Sequence, residues 1–225
     1  MKKILVLFSS FLIIVASLFI STNSTEASSD VYELNNLIHE FVPENPEEYI
    51  RACDWEKPTP DAKLVKVVHV KHSDLMSTEV VENSDESITP LNGGGQYIKK
   101  IRSEVPVCGT TVRARTSGTG AGNNGKLVLN QDVTVSNMYK ADIKIDTKML
   151  TTAVGYDVTK TFTKNAYHSI NTNNKNYQII AYDDYEVQNF EVWNDPWGIF
   201  ETPDVYLGSG ASYRHVGYCY VVYEI

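Results

Sequence analysis

Asp183 and Asp184 stand side by side in a run of strand-forming residues. Paired carboxylates are what a glycosidase uses for acid and base catalysis, and they must face one cleft about 5–10 Å apart. On a strand, neighbouring side chains point to opposite faces, so this pair forms no catalytic site unless the backbone bulges. His69-x-x-His72 is a close histidine pair. At i and i+3 on a strand the two rings also point apart and do not easily share a metal. His39, His168 and His215 carry no ligand spacing. Gly118-x-Gly120-x-Gly122 imitates a nucleotide loop, but strand-like residues follow it, and a phosphate site needs helix N–H groups there. The nucleophile elbow Gly-x-Ser-x-Gly is absent, and no thiolate-activating signature surrounds any cysteine. The expectation is a protein that is not an enzyme and uses no metal or cofactor.

Two further sets of residues invite attention. Cys53, Cys108 and Cys219 allow three pairings. Cys108 with Cys219 is favoured, since both lie in strand-like text (Val105-Pro-Val-Cys108 and Tyr218-Cys219-Tyr220). Closing so long a loop contributes up to ~4–5 kcal/mol in the chain-entropy model. Three buried thiols are the alternative. The aromatics crowd the second half of the chain, where 11 of the 14 tyrosines fall between Tyr139 and Tyr223. Trp193 and Trp197 bracket a turn, with Tyr182 and Tyr185 nearby. Exposed, these four would stack on sugar rings or seat at a membrane interface; buried, they are core. They are the candidate contact surface.

These residues need elements to hold them, and the chain supplies several kinds. Lys2 and Lys3 precede an apolar run from Ile4 to Ile20, and Thr25-Glu-Ala27 leads into Ser28. That is the pattern of a secretory signal peptide over residues 1–27. An uncleaved membrane anchor is the alternative. No lipid-modification cysteine follows the run, so the product is expected to be secreted.

Charge divides the remainder. The whole chain carries −8, and residues 28–90 hold 14 acidic against 5 basic side chains. Residues 91–130 are instead basic, with Lys99, Lys100, Arg102, Arg113, Arg115 and Lys126 against Glu104. An acidic protein gains nothing from counterion release on a polyanion, which argues against a nucleic-acid partner. The acidic stretch reads as a solvated face or as a segment that docks on the basic strands.

Residues 28–62 read as helical. Leu34, Leu37, Ile38 and Phe41 make one apolar stripe over 30–42, and Pro43 stops it. A second short helix starts at Asn45-Pro46 and runs to about Cys53. From Lys63 onward the text is β, with a Gly-rich loop near 83–95. Tyr97–Val107 and Thr110–Thr116 read as a strand pair bent at Pro106 and Gly109. Residues 126–147 alternate apolar and polar with period two, as two strands turning near Ser136-Asn137 or as one long strand. Val154, Tyr156, Val158 and Phe162 continue that alternation, and Tyr177–Trp193 and Tyr213–Tyr223 are further strands, the last apolar and central. The fold class is all-β, an antiparallel β-sandwich or elongated sheet over 63–225 behind a short helical segment.

Three stretches, Ala153-Val-Gly-Tyr-Asp-Val-Thr159, Ile180-Ala-Tyr-Asp-Asp-Tyr-Glu186 and Gly217-Tyr-Cys-Tyr-Val-Val-Tyr-Glu224, resemble small exported β proteins of Gram-positive bacteria. The likeness covers about residues 126–225. The alternating strands before a turn and a long sheet strand are also similar to aerolysin-type pore-forming toxins. Here Asn173-Asn174-Lys175 replaces the Pro-rich turn of those toxins, and Lys and Asp take Ser and Thr places. Neither resemblance implies catalytic residues. The expected function is a secreted, non-enzymatic binding protein whose partner is a cell-wall glycan, a protein or a membrane surface. A membrane-acting, pore-forming protein using residues 126–147 is the alternative.

Overall fold

The computed structural model describes residues 37–73, 95–119, 125–196 and 203–225, without the side chains of 102–105. The expected signal peptide, most of the Gly-rich loop and Trp197 lie outside the described residues. The chain divides into two compact units, Met1–His39 and Glu40–Ile225. Only the end of the first is described.

The second unit is mostly β, with antiparallel sheets and two short helices. Its elements are the end of β1 (Ile38–Phe41), α1 (Pro46–Ala52), β2 (Lys63–Lys71), β3 (Gly95–Gly118), β4 (Lys126–Ser136) and β5 (Met138–Ala141). Then follow α2 (Thr147–Val154), β6 (Thr161–Asn171), β7 (Tyr177–Asp195) and β8 (Val205–Glu224). The main sheet runs in the order β1-β2-β8-β7-β3, and β5 pairs with β8 outside that path. β4 and β6 form a separate two-stranded sheet, in register from Lys126↔Asn171 to Ser136↔Thr161.

The central strands are those richest in β-branched and aromatic residues. β8 is buried almost without interruption from His215 to Tyr223. A strand covered on both faces reads as a continuous apolar run, which is how Tyr218–Tyr223 reads. Gly217 lets β8 lie close to β2: a Cβ there would collide with the Val70 carbonyl.

Four sequence expectations need correction. The helix expected over 30–42 is extended at its described end. There Glu40 pairs with Lys66 at 2.8 Å and the Phe41 ring meets Tyr49 and His69. The bent pair over 97–116 is one 24-residue strand, because β7 offers a partner along the whole length. Register shifts absorb Pro106 and Gly109, and β3 ends the sheet order, where a missing N–H is tolerated.

The alternation over 126–147 is neither a hairpin nor one strand, since β4 pairs with β6 and β5 with β8. Asn137 makes the switch. Its amide donates to Asp157 O at 2.8 Å and its Oδ1 accepts from the His215 N–H at 2.9 Å. The continuation through Val154 is helical. Asp146 caps α2 by accepting from Lys148 N and Met149 N, and Gly155 closes it in the left-handed region at φ 82°. Leu150 and Ala153 bury its inner face, so a period-two coincidence in the sequence spans a helix end and a turn.

Three apolar clusters result. One lies between the β4–β6 pair and the main sheet, around Leu129, Val135, Ile179, Tyr218 and Tyr220. A second lies on the opposite face of the sheet, around Trp55, Val67, Tyr182, Cys219 and Val221. The third packs α2 against the outer half of β7, around Leu150, Phe190 and Val192.

Candidate functional site

The pleat of β7 sends Asp183 and Asp184 to opposite faces, as alternation requires. Both are buried. Asp183 follows the parity of Ile179 and Ala181, beneath the β4–β6 pair. Its Oδ2 accepts from Arg113 Nη2 at 2.6 Å, from Arg113 Nε at 2.7 Å and from the Tyr185 hydroxyl at 2.9 Å. His215 Nε2 lies 3.2 Å from Oδ1. β3 brings Arg113 there through the register irregularities on either side of Val112. Burial alone would raise the Asp183 pKa, but the bonds and charges of His215 and Arg113 outweigh it and hold the carboxyl below its usual range. Burial works against the Arg113 cation, yet Asp183 holds its pKa above the ordinary value. The Tyr185 phenol is pushed up, first by burial and then by Asp183. Around His215 lie the rings of His72, Phe162 and Tyr218.

Asp184 belongs to the other face. Its Oδ2 is 2.8 Å from His69 Nδ1, and its Oδ1 has no hydrogen-bond partner among the described residues. His69 lies against the Cys108–Cys219 disulfide, which forms as the favoured pairing. Nε2 is 3.6 Å from Cys108 Sγ, and Nδ1 is 3.5 Å from Cys219 Sγ. Among the described residues this is where Cys and His groups converge as a metal would need: His69, Cys108 and Cys219 offer atoms all within 4.8 Å of one another. Trp55 covers this face, stacked on Tyr182 at 4.9 Å and donating from Nε1 to Gly109 O at 3.0 Å. Cys53 is a half-buried thiol, and burial raises its pKa. His69 and His72 face opposite ways and share no site, the former beside Asp184 and the latter stacked on His215.

The β4–β6 pair is amphipathic across its width. Leu127, Leu129, Val133, Val135, Ala166 and Ile170 are buried against the main sheet. Lys126, Asn130, Asp132, Thr134, Thr161, Thr163, Asn165 and Asn171 are exposed. The inner row of β6 also carries Lys164 and His168, both half-buried. The Tyr218 hydroxyl donates to Lys164 O at 3.2 Å, and the His168 ring stacks on Tyr220 at 4.8 Å. Burial, helped by the nearby Lys66 charge, lowers the His168 pKa to about 4.

The expected aromatic surface is divided. Tyr182 is 1 % exposed and Tyr185 4 %. Trp55 covers the first and Asp183 fixes the second, so neither presents a ring to a ligand. No local pattern marks Trp55, 127 residues away in the chain from Tyr182, as the ring that folds back over it. Trp193, at the far end of β7, is half-buried and donates from Nε1 to Glu191 at 2.9 Å. Its ring meets Tyr206 edge to face at 5.4 Å, and Tyr206 is half exposed. Asp204 stands beside them, accepting from the Tyr97 hydroxyl at 2.6 Å. Spacing alone missed Tyr206, which β7–β8 pairing sets opposite Trp193.

A shallow depression of about 330 Å³ lies elsewhere, lined by Phe41, Pro43, Glu44, Asn45, Glu48, Tyr49 and Ala52. No helix among the described residues is long and apolar enough to cross a membrane, which leaves strands untouched by the statement. Comparison with protein families, with curated proteins and with solved structures finds no match to this chain.

Proposed function

We propose that the chain is an exported, non-enzymatic binding protein that holds a cell-wall glycan at the Trp193–Tyr206 end of β7 and β8. The observation that carries this reading is the exposure of Tyr206 against Trp193, both rings oriented by neighbours with carboxylates at hand. A sugar ring presents an apolar face to an aromatic side chain and hydroxyls to acceptors such as Glu191 and Asp204. The non-enzymatic part rests on the use of the reactive groups. Asp183 is engaged by Arg113, His215 and Tyr185, and Asp184 by His69. The two carboxylates serve different faces, so they do not act on one substrate. Export rests on the pattern of residues 1–27.

Isolated Gram-positive cell walls and soluble glycan fragments are the test. The mature chain is expected to sediment with walls, with quenching of Trp193 fluorescence and competition by the fragments. Tyr206→Ala is expected to weaken binding at least about tenfold, a loss of about 1.4 kcal/mol. Equal binding by Tyr206→Ala would overturn the reading.

The separate β4–β6 sheet favours a second reading, action on a membrane. Its 11-residue strands match the roughly 9–11 residues that a membrane β-strand needs. Its polar row would line water and its apolar row would meet lipid. Lys164 and His168 stand in that apolar row and weigh against it, since a Lys at the midplane costs about 2–4 kcal/mol. Dye-loaded liposomes discriminate: leakage with ring-sized oligomers supports membrane action, and intact liposomes together with wall binding support the glycan reading.

A further inference from the structure

We propose that, once its disulfide is reduced, the chain binds one zinc ion through the Cys108 and Cys219 thiolates and Nε2 of His69. This inference is independent of what the Trp193 end binds. Zinc takes sulfur at about 2.3 Å and imidazole nitrogen at about 2.0–2.1 Å, so a tetrahedral site separates its N and S ligands by about 3.6 Å. His69 Nε2 already stands 3.6 Å from Cys108 Sγ and 4.0 Å from Cys219 Sγ. Cutting the sulfur–sulfur bond drives the two sulfurs to van der Waals separation, near the about 3.8 Å that a zinc dithiolate needs. The strands need not part for this, because the cysteines sit on β3 and β8 with β7 between them, paired to both.

Asp184 supplies the second observation. A metal-bound histidine typically gives its other ring N–H to a carboxylate, which fixes the ring and raises its basicity. Asp184 Oδ2 receives Nδ1 at 2.8 Å, and Nε2 is the nitrogen beside Cys108 Sγ; Cys219 Sγ, now 3.5 Å from Nδ1 and 4.0 Å from Nε2, swings toward Nε2 when the disulfide opens. Zinc with two thiolates and a neutral imidazole is a neutral cluster, suited to a buried site.

The chemistry balances with a dithiol as reductant. The reductant closes to its own disulfide and passes two electrons and two protons to Cys108–Cys219, giving two thiols. Zinc then displaces both thiol protons to solvent and leaves a fourth position for water. Cells keep thiols reduced in the cytosol, so the dithiol is the form in which a newly made chain would meet zinc. Thiol–disulfide exchange with a small-molecule disulfide reverses this: Cys108–Cys219 re-forms, the reagent leaves as two thiols, and the ion is expelled.

The test uses the Cys53→Ser chain, so that no third thiol competes. Reduced protein is titrated with cobalt(II), then with zinc against a chromophoric chelator, while far-UV circular dichroism reports folding. The expected result is one cobalt per chain, with a sulfur-to-metal charge-transfer band that zinc abolishes and that oxidised protein lacks. His69→Ala is expected to weaken zinc binding at least tenfold. Asp184→Asn, a positioning change, is expected to weaken it about 10–100-fold while keeping the two-thiolate band. If reduction unfolds the chain, zinc is expected to restore the folded spectrum in the parent and not in His69→Ala. Absence of the band in reduced protein, or equal affinity in His69→Ala, overturns the proposal.

Discussion

The middle and the end of β7 put the same kinds of side chain to opposite uses. At the middle, Asp183, Asp184, Tyr182 and Tyr185 are buried, and both carboxylates are held by bonds from other strands. Ten residues on, Trp193 stands half-buried beside half-exposed Tyr206. The middle is covered on both faces, by the β4–β6 pair on one and by Trp55 and the disulfide on the other. At the end α2 packs against Phe190 and Val192, and Tyr206 opposite Trp193 stays half exposed. Reactive residue types at the middle are thus tied up within the fold, and the proposed recognition falls to rings whose polar neighbours only aim them.

The largest test of this contrast is removal of the covalent link. Cys108 and Cys219 are 111 residues apart in sequence. Replacing both by Ser is expected to cost about 4–5 kcal/mol, read as a lower urea midpoint with a steeper slope, since the unfolded chain loses its cross-link and expands. Next comes Asp183→Asn, which leaves the Arg113 guanidinium without its counter-charge. Its expected cost is about 3–5 kcal/mol, well above that of an exposed ion pair such as Lys175–Glu224.

A smaller effect follows from His168. Its folded pKa is about 4, below the ordinary 6.5, so between these values the unfolded chain binds more protons. The His168 contribution is therefore constant above about pH 6.5 and falls as pH drops toward 4. The expected loss is at most about 3 kcal/mol, and His168→Gln should remove this part of the pH dependence in urea melts. Tyr218→Phe, which deletes the hydroxyl bonded to Lys164 O, should cost about 0.5–1.5 kcal/mol. Hydrogen exchange should place that loss mainly in β4 and β6. Tyr206→Ala closes the series, with stability changed by no more than about 0.5 kcal/mol.

What the sequence disclosed followed from local periodicity. β2, β7 and β8 were readable because their apolar and β-branched runs are long, and α1 because Asn45-Pro46 marks its start. The opposed faces of Asp183 and Asp184 came from the pleat alone. The failures occurred where a distant partner decides. α2 is the exception: its caps, Asp146 and Gly155, are local marks, masked by the apparent alternation around them. Asn137 looked like a turn residue, yet it divides a run between two sheets through bonds to Asp157 and His215. Arg113 gave no sign of reaching Asp183, because a register irregularity in β3 is set by β7 and leaves no local mark. His69 and Asp184 lie 115 residues apart in sequence, and only the order β2-β8-β7 brings them together.

The most direct measurement compares Asp183→Asn with Tyr206→Ala for cell-wall binding and urea midpoint, at a temperature where circular dichroism shows both folded. The expected result is a crossed pattern: Asp183→Asn melts early and binds like the parent, while Tyr206→Ala melts like the parent and binds at least about tenfold more weakly. Folded Asp183→Asn that fails to bind, or Tyr206→Ala that binds unchanged, would contradict the division between the middle of β7 and its end.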